Sequence, residues 1–225
     1  MFSMFALLAE QLINLVSHAV SPVFGPQSVA AGIVLATIAV RLALVPAGWA
    51  RHRATRRSAE LAGLAAGIRE RYAGQRDKLT AELGALYQSR TGSVLAGFLP
   101  ILLQIPLVAG MYQAVVLPVV HGHASLVAHH SLFGAALGGH LLALGAAQLP
   151  VFVALLAMIL MVGVVSSRVL RPSGPRPTGI VGLVNRIAPY APAVTALFLP
   201  VAGLLYLATT TAWTVAETAI LRAVA

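Results

Sequence analysis

The chain alternates between long apolar stretches and two short regions that hold nearly all of its charge. Residues 28–50 (SVAAGIVLATIAVRLALVPAGWA) carry Arg41 as their only charge, whereas residues 51–90 hold nine basic and four acidic side chains. A helix needs about 20 apolar residues to cross the hydrocarbon core of a bilayer. Composition agrees: 59% of the 225 residues are hydrophobic and 9% are charged. A soluble domain carries roughly 25% charged residues, so this chain has too little polar surface to face water on every side. The expected class is an all-α membrane protein. With no cysteine, disulfides and thiolate chemistry are excluded.

Residues 1–20 place Phe2, Phe5, Leu8, Leu12, Leu15 and Val16 at helical spacing, with Glu10, Gln11, Asn14 and Ser17 largely between them. That pattern predicts an amphipathic helix lying in the membrane interface, ended by Ser21-Pro22 and Gly25-Pro26. No basic region precedes it, so a cleaved signal peptide is not expected. Residues 51–90 read as a solvent-side hairpin of two amphipathic helices. One apolar stripe is Leu61, Leu64, Ile68 and Tyr72, the other Leu79, Leu83, Leu86 and Tyr87, with Gly74 between. Apolar spans resume at 93–119 and 149–167, divided by a loop at 120–148 that has Gly and His but no Lys or Arg. The segment SRVLRPSGPRPTG reads as a loop. Residues 187–222 are too long for one span and divide near Pro200 to Gly203.

The expected organisation is thus an outer-side interfacial helix at 1–27, a five-helix transmembrane core at 28–50 and 91–222, and a cytoplasmic helical hairpin at 51–90. Basic residues set the orientation. Nine lie in 51–90, four in 168–186 and one at Arg222, while the N-terminal segment, the 120–148 loop and the turn near Pro200 have none. With five spans these sets alternate sides, which predicts a cytoplasmic C-terminus and an outside N-terminus. The net charge of +9 is then mainly a topology determinant and a contact for anionic lipid headgroups, not a specific nucleic-acid surface.

Arg41 lies ten residues before Arg51, hence ~15 Å inside the basic end of its span. A central arginine costs ~2.5–3.5 kcal/mol on insertion scales, so something must hydrate or pair it. One reading is a snorkelling or structurally paired arginine; the other is a polar cavity inside the bundle that keeps it wet. Thr37, one turn earlier, shares its face. Gln104 and Gln113, and Thr209, Thr210, Thr211, Thr214 and Glu217 in the last span, are further candidates for the lining. A threonine is often satisfied by its own i−4 carbonyl, so Gln104 and Glu217 weigh more. Glu217 precedes Arg222 by five residues and sits ~7 Å inside, shallower than Arg41; it is expected to face the headgroups.

The loop histidines His121, His123, His129, His130 and His140 have no cysteine or carboxylate beside them in that loop, and solvated histidines are the expectation there. No G-x-S-x-G, Walker loop, H-E-x-x-H or aspartate pair within a span is present. Neither catalytic residues, nor a metal site, nor a cofactor is expected.

The order of parts resembles the YidC/Oxa/Alb insertase family. TIAVRLALVP at 37–46 places Arg41 in the family's arginine position. ELGALYQSRTGSVLAGFLPILLQIPLVAGMYQAV at 82–115 carries Pro100, Gln104, Pro106 and Tyr112 in its P-x-x-x-Q-x-P and following Tyr. FLPVAGLLYLATTTAWTVAE at 198–217 is similar to its last span. The resemblance covers about 28–222. It departs where Leu207 follows Tyr206 in place of Trp, Thr211 replaces Asn and Glu217 replaces Gln.

That resemblance implies an insertase or chaperone that receives hydrophobic segments of nascent membrane proteins in a polar groove and releases them into the bilayer. The groove would open to the cytoplasm of a bacterial plasma (inner) membrane and hold Arg41, Gln104, Thr37, Thr210, Thr214 and Glu217 as substrate contacts. Partners would be nascent substrates and the lipid bilayer, with the ribosome and the general translocase as further candidates. The sequence shows neither the large outer domain nor the basic C-terminal tail of some members, so tight ribosome docking is not expected. The competing reading is a small anion channel or transporter built on Arg41, against which no internal repeat is visible.

Overall fold

A computed structural model describes residues 2–88, 105, 108–116, 119–120, 123–124, 127, 129–143, 145–169 and 179–224. The fold is mostly helical. In order it comprises α1 (Phe2–Phe24), α2 (Ser28–Ala43), α3 (Val45–Arg71), α4 (Arg76–Gln88), α5 (residues 108–116), α6 (Leu149–Val169), α7 (Gly179–Ile187), α8 (Ala191–Ala196) and α9 (Val201–Val224). The all-α expectation needs one amendment. The 120–148 region holds two antiparallel pairs of two-residue strands, β1 (Val119–Val120) with β2 (His123–Ala124), and β3 (Ser131–Leu132) with β4 (Ala135–Ala136).

By its internal contacts the chain divides into two units, residues 1–43 with 106–225, and residues 44–105. The first division falls at Ala43/Leu44, several residues before the boundary expected at 50/51. Pro46 explains the position. Lacking an N–H, it fits the first turn of α3, and it disfavours helical continuity across Leu44 and Val45.

In the larger unit α1 runs through Pro22 and stops at Gly25, whose φ of +49° reverses the chain into a 3-10 turn at Gly25–Gln27. α1 and α2 then pack together along small residues. Ala6, Ala9, Ile13 and Ser17 are buried on α1, and Val29, Ala30, Gly32, Ile33, Ala36 and Thr37 on α2. Where they cross, a Cβ on Gly32 would overlap the Ser17 hydroxyl. The Ser17 hydroxyl itself donates to the Ile13 carbonyl at 2.6 Å. Gly110 of α5 comes equally close to α1, where an added Cβ would lie 2.6 Å from the Phe5 Cβ.

The large apolar side chains point the other way. Leu8 and Leu15 of α1, and Val153, Leu160, Met161, Val164 and Val165 of α6, are exposed, while the core keeps Phe152, Ile159, Val115, Leu204 and many alanines. Small residues at the helix contacts and large ones outside are the membrane pattern, because lipid leaves no hydrophobic reason to bury leucine and close approach becomes the main gain.

Three helical stretches among the described residues are long and apolar enough to cross a membrane, Met4–Ala43, Leu149–Arg168 and Val201–Ala223. The first comprises α1, the turn and α2. Of the five spans expected, the second falls largely outside the described residues. The fourth is broken, as α7, a 3-10 turn at Ala188–Tyr190 and α8, with Pro189 in the turn and Pro192 opening α8. The SRVLRPSGPRPTG loop also lies mostly outside the described residues. The turn expected near Pro200 to Gly203 is found just before it, at residues 197–200.

One end of this unit is capped by the 127–143 region. Val127, Leu132, Ala135 and Leu137 join the core. The backbone N–H groups of Val201 and Ala202 donate to the Gly139 and Leu137 carbonyls at 3.0 and 2.9 Å. These are orphan donors of the first turn of α9, and Pro200 before them has none to satisfy. The Phe133 N–H donates to Gln27 Oε1 at 3.2 Å, tying the cap to the α1–α2 turn.

In the smaller unit α3 and α4 touch across a turn at Tyr72–Gln75, where Gly74 takes φ +89°. Leu61 and Ala65 are its buried side chains among the described residues, with Ile68, Tyr72, Leu79, Leu83 and Leu86 half-buried. Leu64, expected in the stripe, is exposed, and Ala65 takes its place. Arg53, Arg56, Arg57, Arg69, Arg71 and Arg76 are all exposed.

Candidate polar site between two spans

α2 and α9 are neighbours in the larger unit, and both start at its capped end. Arg41 lies in the last turn of α2, thirteen residues beyond Ser28 and so ~20 Å from the cap along the axis. It is half-buried, and its charge reaches the hydroxyl of Tyr206 on α9. Thr210, one turn after Tyr206, lies beside the same hydroxyl.

On α9 the spacing of 206, 210, 213 and 217 keeps Tyr206, Thr210, Trp213 and Glu217 on one face. Tyr206 is buried and the other three are half-buried. The threonines differ in a telling way. The Thr209, Thr211 and Thr214 hydroxyls donate to the carbonyls four residues back, at 2.8, 2.7 and 2.9 Å. Thr37 on α2 does the same to Ile33 at 2.6 Å. These satisfy themselves within their own helices. Thr210 Oγ1 does not. Its hydroxyl lies instead beside that of Tyr206, while the Trp213 indole nitrogen is a buried atom with no partner at hydrogen-bonding geometry among the described residues.

A buried polar group left unmatched costs about 1–3 kcal/mol. The Trp213 nitrogen is such a group, on the face that also carries Tyr206 and Thr210. The surroundings are the low-dielectric interior of a bundle, which strengthens every such contact.

Of the six site residues expected from sequence, Arg41 and Thr210 converge on Tyr206. Thr37 is 1% exposed, and its hydroxyl is taken up by the Ile33 carbonyl of its own helix. Thr214 and Glu217 share the Thr210 face but lie farther toward the Arg222 end. Gln104 falls outside the described residues. The site gains Tyr206 and Trp213, which sequence reasoning left out. Their signal was the four-then-three spacing with Thr210, hidden because each reads as an ordinary aromatic in an apolar helix. His129 and His140 are exposed, and no cluster of potential metal ligands occurs among the described residues.

Comparison with known proteins bears on this arrangement. A family model described as 60Kd inner membrane protein matches residues 19–225. A protein named membrane protein insertase YidC from Nitratidesulfovibrio vulgaris is 32% identical over 97 residues, 43% of this chain and 18% of the relative. One of the same name from Lawsonia intracellularis is 29% identical over 126 residues, 56% of this chain and 23% of its own length. ALBINO3-like protein 1, chloroplastic, of Arabidopsis thaliana is 32% identical over 113 residues, 50% and 23% respectively. The chain thus spans about a fifth of the length of the curated relatives it matches.

Proposed function

Because the chain belongs to the 60Kd inner membrane protein family, we propose that it is a membrane protein insertase. It is an integral membrane protein, and its polar site would receive the hydrophilic part of an incoming segment. The observation that carries the reading is the α9 face, where Trp213 Nε1 is buried without a partner among the described residues and Thr210 stands at the hydroxyl of Tyr206, which also feels the Arg41 charge. The names of the relatives point the same way.

The mechanism follows from solvation and needs no covalent step. Arg41 supplies a cation that attracts an acidic or polar flank, and desolvation around it strengthens that attraction. The Trp213 indole N–H would donate to the passenger's backbone or to water carried with it, and the Thr210 and Tyr206 hydroxyls would add polar contacts beside it. The passenger's apolar helix then moves into lipid, at a gain of ~0.3–0.6 kcal/mol for each Leu or Ile near the bilayer centre. The capped end would face outward and block passage there, while the Arg41 end would open to the cytoplasm of a bacterial plasma membrane. The α3–α4 pair would be a cytoplasmic hairpin that makes first contact. Nascent membrane proteins are the proposed partners, with the ribosome and general translocase as candidates in the same compartment. Thr214 and Glu217 would lie at the mouth of the polar site.

Reconstitution tests the function. Protein-free vesicles containing the purified chain should insert a small single-span passenger with an acidic translocated tail, scored by protease protection of that tail. Equal protection in vesicles lacking the chain would remove the proposal.

A further inference from the structure

The first turns of α3 carry a feature that the insertase reading does not use. Val45, Pro46, Trp49, Ala50 and Arg53 line a cleft of about 430 Å³. Its wall is apolar, and Arg53 is the only charged lining residue among the described residues. The Arg53 guanidinium carbon stands 5.6 Å from the centroid of the Trp49 ring. Trp49 is 45% exposed, well beyond what a core tryptophan shows. Arg56 and Arg57, seven and eight residues past Trp49, continue the same helix face and are exposed.

We propose that this cleft seats an anionic phospholipid, with its phosphate on Arg53 and an acyl chain along Val45, Pro46, Trp49 and Ala50. Charge and polarity select that occupant together. A free anion would leave the apolar wall wet, and a zwitterionic lipid would set its own cation against a cluster of arginines. A guanidinium held over an indole face still has N–H donors for a phosphate, which Arg recognises as a fork. Tryptophan at the boundary between an apolar stretch and a basic run is also where aromatic side chains anchor membrane proteins at the headgroup level. The proposal does not depend on the insertase reading, only on the chain being in a membrane.

The chain has two tryptophans, Trp49 and Trp213, so Trp213→Phe leaves Trp49 as the only indole reporter. That variant is reconstituted into vesicles containing a minor fraction of acyl-brominated lipid, either phosphatidylglycerol or phosphatidylcholine, at equal bromine content. Trp49 fluorescence should be quenched more by the brominated phosphatidylglycerol. Arg53→Gln should lower that preference ~fivefold, the effect expected of one basic residue at an anionic surface, and Arg53→Lys should keep most of it. Equal quenching by the two lipids overturns the proposal. So does an anionic preference that Arg53→Gln leaves unchanged, because general attraction to the basic helix would then suffice. Loss of the preference in phosphate buffer, but not in chloride of equal ionic strength, would mean that the seat takes a free anion, which also overturns it.

Discussion

Arg41 and Glu217 are the only charged residues of opposite sign proposed for the polar site, and the structure separates their levels. Arg41 acts on Tyr206, which precedes Glu217 by eleven residues, ~16 Å along α9. A pair that far apart in level should couple weakly. A double-mutant cycle of Arg41→Gln and Glu217→Gln, read by equilibrium unfolding in detergent, should give an interaction energy near zero. A coupling well above ~1 kcal/mol would make Arg41 a structural partner of Glu217. Arg41 itself was legible from sequence, since a lone charge in an apolar stretch stands out at any alignment of the helix. Tyr206 and Trp213 were not. Trp213 stands out by the partner its indole nitrogen lacks among the described residues, and Tyr206 by the Thr210 and Arg41 groups at its hydroxyl; helical spacing alone reports neither.

Helices were legible to within a few residues; their faces were less so. On α1 the large side chains mark an apolar flank, yet the side that packs on α2 is Ala6, Ala9, Ile13 and Ser17. On α3 Ala65 is buried where Leu64 was expected. In both cases hydrophobicity does not decide: lipid or a neighbouring turn accepts leucine as readily as the core, and only size separates the faces. Close approach makes glycine the sensitive residue. Gly110→Leu should destabilise the larger unit by ~1–3 kcal/mol, because the Phe5 backbone occupies the space a side chain needs. Gly63 of α3 has nothing within 4 Å of a Cβ, so Gly63→Ala should stabilise by ~0.5–1 kcal/mol in the same unfolding measurement. Equal losses at both sites would contradict the packing described. The α3–α4 pair buries only Leu61 and Ala65 among its described side chains. Its amides should therefore exchange hydrogen faster than those of α2, α6 and α9. Exchange as slow as in those helices would remove the case for a yielding capture element.

At the scale of the molecule, backbone hydrogen bonds tie the 127–143 region to α9 at one end of the larger unit, and the candidate polar site lies toward the other end. That asymmetry is what a one-way passage from water into lipid requires. Its sequence signs were only indirect: a loop free of basic residues at one end and arginines at the other. The strands that build the cap are two residues long, too short for any periodicity to announce them.

The central claim is that Arg41 draws polar passenger segments into the bundle by its charge. Insertion of one passenger carrying either an acidic or a neutral tail, by vesicles containing wild type, Arg41→Ala or Arg41→Lys at matched protein levels, tests it most directly. Arg41→Ala should lose about ten- to hundredfold with the acidic tail and much less with the neutral one, the size of one charge-assisted contact worth ~1.5–3 kcal/mol, while Arg41→Lys keeps most of the activity. Wild-type insertion of the acidic-tailed passenger by the folded Arg41→Ala protein would contradict it.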